Sequence, residues 1–252
     1  MDFQNKTVLI TGGSRGIGKA TALAFAEAGA RVAINFISNS HAASQTIDEL
    51  PGTGHIAVKA DISNAAAAQH LVNEVVDEFG QINILVNNAG VHTEHPIDNC
   101  TYQQWQQAWQ EAISINLIGA SNVTFCAVQK MIPQGGGRIV NVSSRGAFRG
   151  EPNQPAYGAS KAGMNAMSQS LAQAVAKYNI FVGIVAPGFV ETDLAREILE
   201  GPMGDDIRHQ SPLGRVARPE EVARGVLFLS SAGTEFMTGA ILDINGASYL
   251  RT

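Results

Sequence analysis

The fold of this chain turns on Thr7-Val8-Leu9-Ile10-Thr11-Gly12-Gly13-Ser14-Arg15-Gly16-Ile17-Gly18. Residues 7–10 are apolar or β-branched and read as a buried strand, and the glycines let the chain turn tightly before a helical pattern resumes over 16–28. A strand, a glycine turn and a helix start, in that order, leave backbone N–H groups facing outward, ready for an anion such as a pyrophosphate. A glycine turn alone is also an ordinary strand-to-helix connection, and its spacing differs from the three-glycine G-x-G-x-x-G fingerprint. The rest of the chain decides between these readings.

Working outward, β-branched runs recur at 32–36, 56–60, 82–86, 138–142, 181–186 and 241–244, and helical stretches at 41–50, 64–79, 103–131, 156–177 and 219–231. Strands that are almost continuously apolar, alternating with helices, predict a parallel sheet buried on both faces, a doubly wound α/β fold of Rossmann type. Pro219 suits a first helical turn, where its missing N–H costs nothing. Residues 191–218 carry Gly201, Pro202, Gly204, Pro212 and Gly214 without a strand pattern, and read as a mobile flap with short helices. With no repeat, low-complexity tract or linker, residues 1–252 are expected to form a single domain.

The chain has 17 basic against 22 acidic residues, a formal charge of −5, and no basic run. Phosphate backbones and anionic lipid find no landing surface, so neither nucleic acid nor a membrane is expected as a partner. Residues 1–6 are polar and lead straight into the first strand, leaving no room for an export signal, and no uninterrupted apolar stretch reaches the roughly 18 residues of a spanning helix. The expectation is a soluble, cytoplasmic protein. Cys100 and Cys126 are isolated and read as ordinary buried thiols, and no metal site is expected.

In a doubly wound sheet, ligands bind at the carboxyl ends of the strands. Gly12, Ser14, Arg15, Gly16, Ile17 and Gly18 are the candidates for a dinucleotide's phosphates. An acid at the end of the second strand would bond an adenosine ribose diol and repel a 2′-phosphate. Asn35-Phe36-Ile37-Ser38-Asn39-Ser40 contains none, whereas Arg15 offers a positive charge and Ser38, Asn39 and Ser40 offer hydrogen bonds. NADP(H) is therefore expected over NAD(H), although no second arginine follows the strand. Asp61-Ile62 ends the third strand, where Asp61 either accepts from the adenine amine or caps a helix. Asn87-Asn88-Ala89-Gly90 ends the fourth and closes the sheet around the cofactor.

Val140-Asn141-Val142-Ser143-Ser144 ends the fifth strand, and Tyr157 and Lys161, four apart, share one face of the next helix. A phenol near pKa 10 is a poor base at neutrality. An ammonium at about 4 Å, with an effective dielectric near 20, is worth roughly 4 kcal/mol, or about three pKa units at most. Lys161 is expected to depress Tyr157 by this route. In a hydride transfer, Ser144 would donate to a substrate carbonyl, Tyr157 would protonate the developing alkoxide and Lys161 would hold the nicotinamide ribose hydroxyls. Asn116, in Ser114-Ile115-Asn116-Leu117, would bind the water that relays the proton. Singly, Ser144 is a turn former, Asn116 a polar group at a helix kink and Lys161 a solvated side chain. Their joint spacing argues against coincidence.

Taken in order, Thr11-Gly12 with Gly16 and Gly18, Asn87-Asn88-Ala89-Gly90, Asn116, Ser144, Tyr157 with Lys161, and Pro187-Gly188-Phe189-Val190-Glu191-Thr192 resemble the motifs of the short-chain dehydrogenase/reductases, over nearly the whole chain. The resemblance implies a seven-stranded Rossmann sheet and an Asn116-Ser144-Tyr157-Lys161 tetrad. It further implies cofactor contacts from Asn88, Ala89, Gly90, Pro187, Gly188, Val190 and Thr192, and assembly as a homotetramer or homodimer. The chain departs from the pattern at Ala147 and Gly183, and residues 90–116 run a few residues longer than in many members.

The expected reaction interconverts a carbonyl and a secondary alcohol, with the chain similar to 3-oxoacyl-thioester reductases and with sugar, steroid and small-ketone substrates as alternatives. Lys177 and Arg138 supply little of the basic surface an acyl carrier would need. A non-catalytic NADP(H) sensor is the reading of another class, and it sits badly with an intact Tyr157 and Lys161. His92 and His95 read as pocket residues or as an incomplete ligand set, and Trp105 and Trp109 as packing. Arg145 and Arg149, with Glu151, are either a solvated loop or a grip on a substrate carboxylate or phosphate.

Overall fold

The computed structural model describes residues 1–251, the side chain of Leu194 excepted. Seven parallel strands form one sheet in the order β3-β2-β1-β4-β5-β6-β7. They are β1 (Thr7–Ile10), β2 (Arg31–Phe36), β3 (Ile56–Lys59), β4 (Ile84–Asn87), β5 (Gly137–Val142), β6 (Ile180–Pro187) and β7 (Ile241–Ile244). Among the described residues, ten α-helices connect or flank them: α1 (Gly16–Glu27), α2 (Ser40–Glu49), α3 (Ala65–Phe79), α4 (Tyr102–Ile113), α5 (Ala120–Met131), α6 (Gly146–Arg149), α7 (Pro155–Val175), α8 (Asp193–Glu200), α9 (Gly204–His209) and α10 (Pro219–Ser230).

The alternation of side chains along each strand builds two cores. Val8 and Ile10 face Phe25, Ile34 and Val226 on the α1 and α10 side. Leu9, between them, faces Leu71, Val75, Val123 and Met131 on the α3 and α5 side. With helices on both faces, most strand positions are buried, which is why the strands read as nearly continuous apolar runs; the buried asparagine exceptions Asn35, Asn87 and Asn141 lie near the carboxyl ends. Strand order reverses between β1 and β4, which pair Val8 with Ile84 and Ile10 with Val86. That reversal opens a crevice at the carboxyl ends, beyond Thr11 and Asn88.

The predicted helix 103–131 is continuous but not uniform. A π-helical segment, Ser114–Gly119, lies between α4 and α5. The whole run, Tyr102–Met131, is long and apolar enough to cross a membrane by length and composition. Its buried side chains Val123, Ala127 and Met131 instead belong to the core beneath the sheet. Pro219 does begin α10. Residues 191–218 hold α8 and α9, as expected, and Ala195, Leu199 and Ile207 pack there on Phe189 and Val216 as a small cluster separate from both main cores.

Candidate active site

A cavity of 1010 Å³ runs along the carboxyl ends of the strands. Its lining includes the expected Gly12, Ser14, Arg15, Gly16, Ile17, Asp61, Ile62, Asn88, Ala89, Gly90, Ser144, Tyr157, Lys161, Pro187, Gly188, Val190 and Thr192. Gly18, Ser38, Asn39, Ser40 and Asn116 are not part of its wall. It also exposes Phe36, Ile37, His92, Glu94, Phe189, Met203, Ile207 and Gln210, most of which no motif singled out.

At one end lies the glycine loop. Gly12 and Gly16 have φ of +64° and +54°, the left-handed region in which a side chain is strained. Gly18 is a packing glycine: a Cβ there would come within 2.2 Å of the Gly12 carbonyl oxygen, so it shapes the loop without facing the cavity. The Asn87-Asn88-Ala89-Gly90 turn locks the loop from the neighbouring strand. Thr11 Oγ1 accepts from the Asn88 and Ala89 amides at 3.0 and 3.1 Å, and Asn88 Nδ2 donates to the Thr11 and Gly12 carbonyls at 3.0 Å each.

The start of α1 is left open for an anion. Arg15, its N-cap residue, makes no side-chain capping bond, and the first turn contains no acid. The N–H groups that such a helix start leaves unpaired lie against the cavity wall, so the residues present fit a dinucleotide pyrophosphate. Thr192 closes over this end, since a Cβ on Gly16 would sit 3.2 Å from Thr192 Cγ2.

The end of β2 carries no acid, and its side chains divide in two. Asn35 is buried, donating to the Val58 and Ala60 carbonyls at 3.3 and 2.9 Å, which ties β2 to β3. Ser38, Asn39 and Ser40 are exposed outside the cavity wall, and Asn39 Oδ1 caps α2 through the Ala42 amide at 2.9 Å. Asp61 is not the helix cap: Asn64 caps α3. Asp61 Oδ1 instead accepts from the Ser63 amide and hydroxyl at 3.0 and 2.7 Å while the residue lines the cavity.

At the other end, the helix spacing delivers Tyr157 and Lys161 to the same wall as Ser144. Ser144 Oγ accepts from the Gly146 amide at 3.0 Å. Lys161 is buried; its Nζ donates to the Val142 carbonyl at 2.8 Å and lies 5.8 Å from the centre of the Tyr157 ring. Against the expected lowering by Lys161, the net direction at the Tyr157 phenol is upward. Burial pushes Tyr157 up, a Ser144 hydrogen bond pulls it down and the Glu151 charge pushes it up again. Burial also pulls Lys161 down to about 8. The ammonium is turned to a backbone carbonyl, and removing water penalises both charged forms.

Asn116 sits inside the π-helical segment, fully buried. Its Nδ2 donates to the Val91 carbonyl at 2.9 Å and to Ser160 Oγ at 3.0 Å, and its Oδ1 accepts from the Val91 amide at 2.8 Å. Both amide protons are thus used, and only the second lone pair of Oδ1 is left for a water. A Cβ on Gly90 would lie 3.2 Å from Asn116 Oδ1 and 3.4 Å from Lys161 Nζ, so Gly90 is where these two groups converge.

The two histidines part company. His92 lines the cavity, edge-on to Tyr157 with ring centres 6.2 Å apart. His95 is buried behind it: Nδ1 bonds the Thr93 carbonyl at 2.7 Å and Nε2 faces the Ala156 amide at 3.3 Å. A carbonyl only accepts and an amide N–H only donates, so Nδ1 carries the proton and Nε2 caps the N-terminus of α7, next to Tyr157. Trp105 packs edge-on against His95 at 5.3 Å and Trp109 lies 6.0 Å beyond, the packing role expected of them. His95→Ala removes this cap, and Tm should fall by about 2–4 °C for a loss of about 1 kcal/mol, with a larger change in kcat than in KM. His95→Gln should recover part of both. An unchanged Tm and kcat in the alanine variant, by calorimetry and steady-state assay, would remove the capping role.

Comparison with known proteins agrees with this geometry. Residues 12–247 match the family described as enoyl-(acyl carrier protein) reductase. The chain is 34% identical over 247 residues to the 3-oxoacyl-[acyl-carrier-protein] reductase FabG of Staphylococcus aureus strain MW2, covering 97% of this chain and 98% of the relative. It is 36% identical over 244 residues to the FabG of Chlamydia trachomatis serovar D, covering 96% of each chain. The FabG of Thermotoga maritima is 39% identical over 248 residues, 98% of each chain. With sheet order, cavity and motif residues all in agreement, the chain belongs to the short-chain dehydrogenase/reductases and is an NAD(P)-dependent oxidoreductase that interconverts carbonyls and alcohols.

Proposed function

We propose that this protein is an NADP(H)-dependent carbonyl reductase in which Tyr157 is the general acid and base. The observation that carries the proposal is one cavity joining the uncapped start of α1 to the wall formed by Ser144, Tyr157 and Lys161. Bound along that cavity, the nicotinamide cofactor supplies or accepts the hydride. Ser144 donates to the substrate oxygen as negative charge develops there, and Tyr157 delivers the proton that neutralises it. Lys161 holds the ribose hydroxyls. Asn116 fixes Val91 and Ser160 around that group, and its remaining Oδ1 lone pair would hold the water that relays the proton. The uncapped α1 amides take the pyrophosphate, Val190 and Thr192 the nicotinamide carboxamide, and Asp61 and Ile62 flank the adenine. Arg15, with Ser38, Asn39 and Ser40 beyond the rim, favours a 2′-phosphate, and NAD(H) is the weaker alternative.

The activity for which the relatives are named makes 3-oxoacyl thioesters the first substrates to try. Residues 1–252 act as a single domain in this reading. Exposed Ile118 and Phe125 on the 102–131 run, with Phe236 and Leu250 elsewhere, support association into a homotetramer or homodimer. A cytoplasmic location follows from the need for the NADP(H) pool. The test is the rate of NADPH and NADH oxidation across 3-oxoacyl thioesters, diketones, keto sugars and steroids. Turnover at least tenfold better with NADPH is expected. Equal kcat/KM with both cofactors would refute the cofactor preference, and tight NADPH binding without turnover of any carbonyl would refute the reductase.

A further inference from the structure

The residue after Ser144 is an arginine, and the structure gives it an unusual setting. Arg145 is 2% exposed, yet no carboxylate lies within ion-pair distance of it among the described residues. Its Nη1 donates to Ser248 Oγ and its Nη2 to Gln210 Oε1, both at 2.5 Å, and its guanidinium lies 5.1 Å from the Phe189 ring centre. Buried charges are ordinarily paired with opposite ones. All three of these partners are neutral.

A second guanidinium converges on the same oxygen. Arg149 Nη1 lies 3.4 Å from Gln210 Oε1, so two cations share one amide carbonyl contributed by the residue that follows α9. The nearest carboxylate is Glu151, 3.7 Å from Arg149 Nε. Arg145, Arg149, Glu151, Gln210 and Ser144 all line the main cavity. Of its other acids, Glu111 accepts from Thr93 Oγ1 at 2.9 Å, Asp193 pairs with Arg196 at 2.6 Å and Asp61 is held by Ser63, while Glu94 is an exposed residue of the wall that forms no ion pair with either arginine. Two positive charges face one negative, beside the serine that marks the reacting carbonyl. Burial and the neighbouring Arg149 pull the Arg145 guanidinium down to about 10, against the pull of Glu151. An oxyanion at this corner would offset that cost and offer the planar, paired acceptors that guanidinium groups match.

We infer that the physiological substrate is an anionic carbonyl compound, one whose carboxylate or phosphate is gripped chiefly by Arg149 beside the Arg145–Gln210 contact, while its carbonyl faces Ser144 and Tyr157. This rests on the carbonyl-reductase reading above and narrows its substrate class. Arg149 is the more accessible of the pair and the specificity-determining contact; Arg145 holds the corner together through Ser248 and Gln210.

The test compares matched pairs: 4-oxopentanoate with its methyl ester, and dihydroxyacetone phosphate with dihydroxyacetone. In the wild type, kcat/KM for the charged member of at least one pair should exceed that of the neutral member by about tenfold or more, as a charge-assisted contact requires. In Arg149→Ala that ratio should fall toward one, chiefly through KM for the anion, and Arg149→Lys should restore part of it. The preferred pair distinguishes carboxylate from phosphate. Calorimetric titration of the same four compounds into enzyme saturated with NADP⁺ reads the grip without turnover. Neutral members used as well as charged ones, a ratio that survives Arg149→Ala, or no charge-dependent binding in the titration would each overturn the inference. Turnover that persists in Tyr157→Phe would instead sink the reductase mechanism, so the two failures are separable.

Discussion

Tyr157→Phe should lower kcat/KM for carbonyl reduction by about 10²–10⁴-fold, the range a positioned general acid supplies. The substitution removes one hydroxyl and keeps the ring that lies edge-on to His92. Cofactor affinity, set in this reading mainly by the glycine loop and Lys161, should stay within about twofold by fluorescence titration with NADPH, because the lost atom carries the proton-transfer energy. Since burial raises the Tyr157 phenol, the protonated donor form needed for reduction persists through neutral and mildly alkaline pH. Alcohol oxidation needs the phenolate, so its rate should climb with pH over the same range. A purified variant that retains more than about a tenth of wild-type turnover would mean the proton comes from elsewhere.

Lys161→Met should abolish turnover and raise thermal stability together. Lys161 is 3% exposed and its folded pKa is pulled from 10.5 to about 8 by burial. At neutral pH the folded chain holds the proton at a cost of about 3 kcal/mol, because each unit is worth about 1.4 kcal/mol. Methionine fills similar volume without charge, while the Val142 carbonyl loses its donor, which gives back about 1–2 kcal/mol. The net expectation by calorimetry at pH 7 is a Tm higher by about 2–4 °C.

The pH dependence has a definite sign. Between about 8 and 10.5 the unfolded wild type binds more protons at this position than the folded one, so wild-type stability rises with pH there. The advantage of the methionine variant should therefore be full below pH 8 and shrink as pH climbs toward 10.5. Wild-type carbonyl reduction should fall above pH 8 as Lys161 loses its proton. A variant with lower Tm at pH 7 would show that the bond to Val142 outweighs the cost of burying the charge.

The one-dimensional pattern determined most of the architecture. Unbroken apolar runs require a sheet covered on both faces, and the glycine loop after β1 requires a strand, a turn and an open helix start. Tyr157 and Lys161 share a wall because four residues make about one helical turn, a relation local enough to read directly. What the tertiary structure decided depends on partners distant in the chain. Lys161 is turned to the Val142 carbonyl, and burial outweighs the lowering of the phenol that spacing suggested. Asn116 is committed to Val91 and Ser160, and His95, paired with His92 in the sequence reading, caps the start of α7 sixty-one residues away. In the sequence Arg145 is either a solvated loop residue or a grip on a substrate anion; the fold buries it against the neutral Gln210 and Ser248. Periodicity records which face of an element is apolar. Burial, protonation and hydrogen-bond partnership depend on which distant groups the fold brings within about 3 Å, and no local spacing carries that information.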